Sequence, residues 1–213
     1  MEAFRPWRGG YLSKAQETER RLLSRMACDV VEMLGYSMND LAERDPSDPL
    51  AAYETELTGV AEKAAEAERP STRPIDDAMF RLLPDMSEDP AQAQALREMT
   101  SPSLSVAKAE HLFLLWRSVN GSTDDVWVGN EDMSGWISAI NSIRLVLASR
   151  LNIHGEDDGR EIYEVAQDIT GANGKGNERE VQTPDELLRV LYTMVTWWQE
   201  SLLLAARNKT PHR

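Results

Sequence analysis

The single cysteine of the chain, Cys28, is the residue with the simplest available chemistry, because a thiolate can be oxidised reversibly. On a helix it would lie about 150° from the centre of the apolar stripe. Its helical neighbours Arg21 and Arg25 would favour the thiolate, whereas Glu32 would oppose it. We therefore consider Cys28 a redox candidate. The alternative is a small apolar side chain under a second helix, since free cysteine is usually buried.

A polar pair interrupts the most apolar helical run, residues 136–151. Asn141 and Arg144 stand inside its hydrophobic pattern, and an enclosed arginine needs an acceptor because an unpaired buried charge is very costly. We expect a structural role rather than a recognition site, and we assign the same role to Lys108 on another apolar stripe. The predicted partner of Arg144 is the carboxylate of Asp85, of Glu19 or of Glu110.

Three basic clusters are candidates for contact with DNA or an acidic partner. Arg5 and Arg8 flank Trp7 on a predicted hairpin, which could act as a wing against a phosphate backbone. The second cluster, on the first helix, is formed by Arg20, Arg21 and Arg25, and the third, in the C-terminal tail, by Arg207, Lys209 and Arg213. No convincing helix-turn-helix pattern accompanies them, so a solvated surface is the alternative for all three.

Patterns that carry catalysis or bind cofactors are missing from the sequence. Its three histidines, at positions 111, 154 and 212, cannot be assembled into a metal triad by spacing, and its acidic runs lack the spacing of a calcium loop. It contains no nucleophile motif, phosphate loop or dinucleotide fingerprint. We therefore predict a protein without catalytic residues, metal or cofactor.

Composition limits the classes of partner and the compartment. A chain of 213 residues can bury one core, and its formal net charge of −13 argues against a protein that coats nucleic acid over its whole surface. A local basic patch or the dyad of a dimer stays possible. We see no signal-peptide run, no stretch near the roughly 20 apolar residues that span a bilayer, and no cysteine pair. We therefore expect a cytoplasmic protein without membrane contact.

The elements that position these residues begin with a predicted β-hairpin over residues 3–12, in which Gly9-Gly10 supplies the turn. Because a two-stranded ribbon is marginal alone, we pair it with a third short strand over residues 126–128. A capping-box pattern that starts at Ser13 would open the first helix.

The remaining sequence predicts helices separated by polar segments. Their predicted starts lie at Asp48-Pro49, after Pro90, at Ser101-Pro102, near Asn130, at residue 160 and at Thr183. We predict a long loop over residues 69–89 and a flexible loop over residues 171–182. The fold class is therefore mainly α, a single domain over residues 1–213 with five to eight helices and the small β element.

Three segments also carry a family resemblance. They are Phe4 through Gly10-Tyr11-Leu12, then Arg81-Leu82-Leu83-Pro84-Asp85, and then Trp136 with Ile140-Asn141 and Arg144-Leu145-Val146-Leu147. Their order and spacing resemble the DUF2017 family of actinobacterial proteins over most of the chain. The resemblance implies a transcription regulator of oxidative stress, in one mode by redox-dependent contact with a stress sigma factor. The resemblance also implies that some members switch by oxidation of an intramolecular cysteine pair. This chain has only Cys28, so it cannot form such a pair.

We therefore predict a non-enzymatic transcription regulator of the oxidative-stress response that contacts promoter DNA as a homodimer. The dimer is expected because Trp197, Leu203 and Leu204 widen the apolar surface of the last helix beyond one core contact. The alternative is an interaction protein without DNA affinity, whose net charge of −13 suits a basic partner such as a stress sigma factor.

Overall fold

The computed structural model describes residues 1–43, 76–171 and 179–208, which form seven helices and three short strands. In chain order these are β1 (Arg5–Trp7), β2 (Gly10–Lys14), α1 (Glu17–Met33), α2 (Met38–Glu43), α3 (Asp77–Leu82), α4 (Pro90–Asn120), β3 (Asp125–Gly129), α5 (Met133–Arg150), α6 (Glu156–Thr170) and α7 (Pro184–Arg207). The strands form one antiparallel sheet in the order β1-β2-β3, which confirms the predicted mainly α fold with its third strand. None of the described helices is long and apolar enough to cross a membrane.

The hairpin turns one residue earlier than predicted. Trp7 pairs with Gly10, so Arg8 and Gly9 make the two-residue loop, with φ angles of 39° and 79°. Positive φ at both positions is the signature of a type I′ turn, whose twist matches that of the flanking strands. The prediction that Gly9-Gly10 forms the turn is therefore wrong, because Gly10 already belongs to β2.

Gly10 instead lets a neighbouring strand approach closely. It pairs with Gly129 of β3, and a Cβ added to it would lie 2.2 Å from the Val128 carbonyl oxygen. The same Cβ would lie 2.9 Å from the ring of Trp127. The indole of Trp127 therefore crosses β2 at a residue that has no side chain.

A cluster of three aromatic rings joins the hairpin to α5 and α7. The Phe4 ring centroid lies 4.9 Å from that of Trp198 and 6.1 Å from that of Trp136, and both indoles are fully buried. The indole N–H of Trp198 donates to Ser13 Oγ at 2.9 Å, and the backbone N–H of Phe4 donates to Ser201 Oγ at 3.2 Å. Ring burial and these two hydrogen bonds fix the hairpin against the helices.

The first helix begins at Glu17, three residues later than the start predicted from Ser13. Gln16 is its N-cap, and its backbone N–H donates to the Glu19 carboxylate at 2.7 Å. Ser13 belongs to β2, is buried, and donates its hydroxyl hydrogen to the Glu2 carbonyl at 2.6 Å. Ser13 therefore pairs with β3 as part of β2, although the local sequence pattern predicts it as a helix cap.

Two predictions about residues 76–120 are also wrong. α3 lies inside the loop predicted over residues 69–89, and Asp76 caps it by accepting the N–H of Ala78 at 3.0 Å. α4 is one helix of 31 residues that contains Pro102, where two helices were predicted. Proline inside a helix costs about 3 kcal/mol. The helix nevertheless continues through Pro102, and it packs buried side chains on both sides of the proline, such as Ala93 and Ala109.

The later helix starts follow the sequence more closely. Thr183 caps α7 as predicted, since its Oγ1 accepts the N–H of Glu186 at 3.2 Å. α5 begins at Met133 rather than near Asn130, and α6 begins at Glu156 rather than at residue 160. Other predictions lie outside the described residues: the helix after Asp48-Pro49, residues 69–75 of the long loop and residues 172–178 of the flexible loop.

We expect Gly10→Ala to lower the free energy of unfolding by about 2 kcal/mol or more, because the new methyl group would overlap a backbone oxygen of the paired strand. Gly159→Ala is the matched control. It lies in α6 with nothing within 4 Å of the new Cβ, and it should raise the unfolding free energy by about 0.5–1 kcal/mol. Urea unfolding followed by circular dichroism measures both, and equal small effects would contradict the close approach.

Candidate interaction site

The hairpin face, defined as Arg5, Trp7, Arg8 and Trp127, is an exposed aromatic and basic surface. Both tryptophans are 45% exposed. The indole N–H of Trp127 on β3 donates to the backbone carbonyl of Trp7 on β1 at 3.3 Å, so this side chain spans the sheet. Large exposed aromatic side chains that lie together mark an interaction surface more often than a packing defect.

Both arginines of the hairpin face lie over the same ring. The guanidinium carbons of Arg8 and Arg5 are 5.2 Å and 5.9 Å from the Trp7 ring centroid. Distances up to about 6 Å place a cation within reach of the ring quadrupole. The described partner of each guanidinium is therefore an aromatic ring, and both residues are exposed, Arg8 in the turn and Arg5 at the start of β1.

Arg8 occupies a backbone position that folding alone would not select for arginine. Its φ of 39° lies in the left-handed region, which costs a non-glycine residue roughly 1–2 kcal/mol. Type I′ turns prefer Asn, Asp or Gly at this position. Residues held in such regions concentrate at functional sites. The strained arginine therefore supports a binding role for the tip of the hairpin.

The helix-one arginines offer less than the sequence suggested. Arg21 forms an ion pair with Glu17 at 2.5 Å, and Arg25 forms one with Asp29 at 2.9 Å. Exposed pairs of this kind are weak, but they leave the outer face of α1 without an excess of positive charge. The structure thus brings together three of the predicted binding residues and adds Trp127 to them.

Trp127 is the residue that the sequence analysis missed, although a signal for it existed. Alternation along a strand sends neighbouring side chains to opposite faces. Val126 and Val128 are buried, so the residue between them has to face solvent. Recognition of the third strand was enough to predict an exposed indole there.

Cys28 is half-buried on α1, and its surroundings do not activate it. Burial raises the pKa of the thiol, and the carboxylates of Asp29 and Glu32 raise it further, whereas Arg25 lowers it by less. The thiolate fraction at neutral pH is therefore smaller than in a free cysteine. The geometry favours the structural alternative, and the redox role of Cys28 stays a prediction.

Arg144 connects α5 to α7 through neutral acceptors rather than carboxylates. Its Nε donates to Thr196 Oγ1 at 3.0 Å and its Nη1 to Gln199 Oε1 at 2.6 Å, with the Tyr192 ring centroid 5.9 Å away. Buried Gln199 in turn donates from Nε2 to the Ile137 carbonyl at 3.1 Å. The hydrogen bonds of Arg144 and Gln199 thus hold α5 and α7 together.

The other predicted polar residues are dispersed over separate elements. Asp85 forms an ion pair with Arg97, not with Arg144. Lys108 is half-buried on α4, where burial lowers its pKa, and Asn141 is half-buried on α5. Within residues 1–43, 76–171 and 179–208 no group of three or more His, Cys, Asp or Glu side chains could hold a metal ion. The hairpin face is the arrangement on which a function can be built.

One protein family and several named relatives are similar to this chain. A family model described as "Domain of unknown function (DUF2017)" matches residues 1–206. Proteins named "Oxidative stress regulator AosR", from Mycobacterium bovis and from two strains of Mycobacterium tuberculosis, are each 30% identical over 135 residues. The match covers 57% of this chain and 59% of each relative, less than two thirds of their length. No solved structure matches.

We expect Cys28 of the native protein to react with iodoacetamide at pH 7 more slowly than the unfolded protein, because burial and two carboxylates raise the pKa of its thiol. The native rate should keep rising with pH beyond the range in which the unfolded thiol has fully ionised. Urea-unfolded protein is the internal control. Faster labelling of the native form at pH 7 would show an activated thiol and support the redox prediction.

We expect Gln199→Leu to lower the free energy of unfolding by about 2 kcal/mol, because it removes the acceptor of the half-buried Arg144 Nη1 and leaves only the hydrogen bond of Nε with Thr196. The double variant Arg144→Leu/Gln199→Leu should recover part of this loss, since both polar partners are then removed together. A double-mutant cycle by urea unfolding measures the coupling. Strictly additive losses would show that the two side chains do not depend on each other.

Proposed function

The chain belongs to the DUF2017 family, and on that premise we propose that it is a non-enzymatic, dimeric regulator of the oxidative-stress response that acts through the hairpin face. The printed name of its 30% identical relatives supports the regulatory role. The hairpin face supports the mode of action: two exposed indoles and two guanidinium groups lie together, one of those groups on a strained turn.

The composition of the hairpin face favours a protein partner. Tryptophan and arginine are the residues that most often carry binding energy in protein interfaces. A partner that sets an apolar side chain on Trp7 and Trp127 and a carboxylate near Arg8 would use every group of the face. The net charge of −13 would attract a basic protein from a distance, and such a partner would need an acidic and apolar patch to meet the hairpin face itself. The family resemblance makes a stress sigma factor the first candidate.

Promoter DNA is the second candidate, because Arg5 and Arg8 present two exposed cations on one hairpin. Two cations per chain are few beside the roughly 6–10 phosphate contacts of proteins whose DNA affinity falls steeply with salt. A dimer would double that number. The helix-one arginines add little, since Arg21 and Arg25 already pair with carboxylates of their own helix.

Calorimetric titration of the full-length protein with a purified stress sigma factor of its source organism tests the first candidate. We expect Trp7→Ala and Arg8→Gly to weaken binding at least about tenfold, or about 1.4 kcal/mol. Arg8→Gly also relieves the strained φ, so its thermal stability should not fall and lost binding cannot be blamed on unfolding. Arg21→Ala, an exposed arginine on α1, is the matched control and should bind like the wild type.

A gel shift on promoter fragments, at low and near-physiological salt, tests the second candidate. A specific shift that Arg8→Gly removes, and that weakens steeply with salt, would move the site of action to DNA. Intact sigma-factor binding by both hairpin variants would contradict the hairpin face as the interaction site.

A further inference from the structure

The C-terminal half of α7 exposes an apolar strip that the fold leaves uncovered. Trp197, Leu203 and Leu204 are 41%, 46% and 56% exposed. At 100° per residue, Leu204, Trp197 and Leu203 lie about 20°, 40° and 80° from the direction opposite to buried Leu202. A single exposed leucine needs no explanation, whereas a contiguous set on one helix face indicates a surface that another molecule covers.

Two opposite charges frame the leucines of this strip. Glu200 and Arg207 are both exposed on α7, one placed three residues before Leu203 and the other three residues after Leu204. Residues three or four apart are neighbours on a helix surface. Along α7, the two exposed leucines are therefore preceded by the acidic Glu200 and followed by the basic Arg207.

We propose that this strip pairs with the same strip of a second copy of the chain, the two helices running antiparallel around a two-fold axis midway between residues 203 and 204. Under that symmetry Leu203 faces the partner's Leu204, and Glu200 faces the partner's Arg207. Each contact occurs twice, as an isologous interface requires. A parallel pairing would instead oppose Glu200 to the partner's Glu200, so charge selects the antiparallel arrangement.

A groove next to the strip extends the same surface toward the hairpin. It has a volume of about 320 Å³, and Arg5, Pro6, Trp197 and Leu204 are among the residues that line it. Trp197 and Leu204 belong to both the groove and the strip, so the apolar surface is continuous. Arg5 belongs to both the groove and the hairpin face, so the pairing would place two hairpin faces in one assembly.

The paired surface is small, and this sets the expected affinity. About two helical turns from each copy leave the interface near or below the roughly 1,200 Å² under which complexes are weak or transient. We expect a dissociation constant in the micromolar range. The inference specifies the dimer of the proposed function and rests on that proposal only for what the dimer is used for.

Sedimentation equilibrium of the full-length protein alone, from about 1 to about 100 μM, tests the pairing. The average mass should rise from the monomer value of 24.0 kDa toward twice that value. Glu200→Arg and Arg207→Glu should each weaken the dimer at least about tenfold, because each opposes like charges twice. The double variant restores both contacts and should dimerise within about threefold of the wild type.

Glu164→Arg is the matched control: it makes the same charge reversal at an exposed position of α6 and should leave the dimer unchanged. Every variant replaces an exposed side chain, so each should keep the wild-type unfolding midpoint. A 24.0 kDa species at all concentrations, single reversals without effect, or a double variant no tighter than the singles overturns the inference. The sedimentation experiment contains no sigma factor, and Trp7→Ala should dimerise like the wild type. A failure to dimerise is therefore distinguishable from a failure of the hairpin face to bind its partner.

Discussion

The contact of Phe4 with Trp136 and Trp198 is the interaction on which the rest of the structure depends. A three-stranded sheet with strands of three to five residues has no core of its own, so its orientation has to come from the helices. The buried rings supply it, and the hydroxyl of Ser13 accepts the one polar hydrogen of the Trp198 side chain. The position of the hairpin relative to α5 and α7 follows from this cluster.

Two exposed aromatic side chains lie next to buried residues of the same elements. Trp197 lies about 100° around α7 from buried Trp198, at the edge of the buried stripe, and is 41% exposed. With Val126 and Val128 turned inward on β3, Trp127 has to face outward as well. Trp127 also packs over Gly10 and donates to the Trp7 carbonyl, so its indole contributes to the sheet as well as to the exposed surface.

Features encoded by neighbouring residues could be predicted from the sequence, and features set by distant contacts could not. The helix start at Thr183 and the third strand depend on short patterns, and both are present. The role of Ser13 and the continuity of α4 through Pro102 depend on which elements pack beside them, and both predictions failed. The predicted partners of Arg144 were wrong for the same reason, since its actual acceptors, Thr196 and Gln199, lie more than fifty residues away in sequence.

Hydrogen–deuterium exchange of the full-length protein, with and without a stress sigma factor, tests the central claim most directly. If the hairpin face is the binding site, exchange should slow on binding in peptides from residues 3–12 and 125–129, with no change in α1. Protection confined to α1 or α6, with the hairpin exchanging as in the free protein, would contradict it.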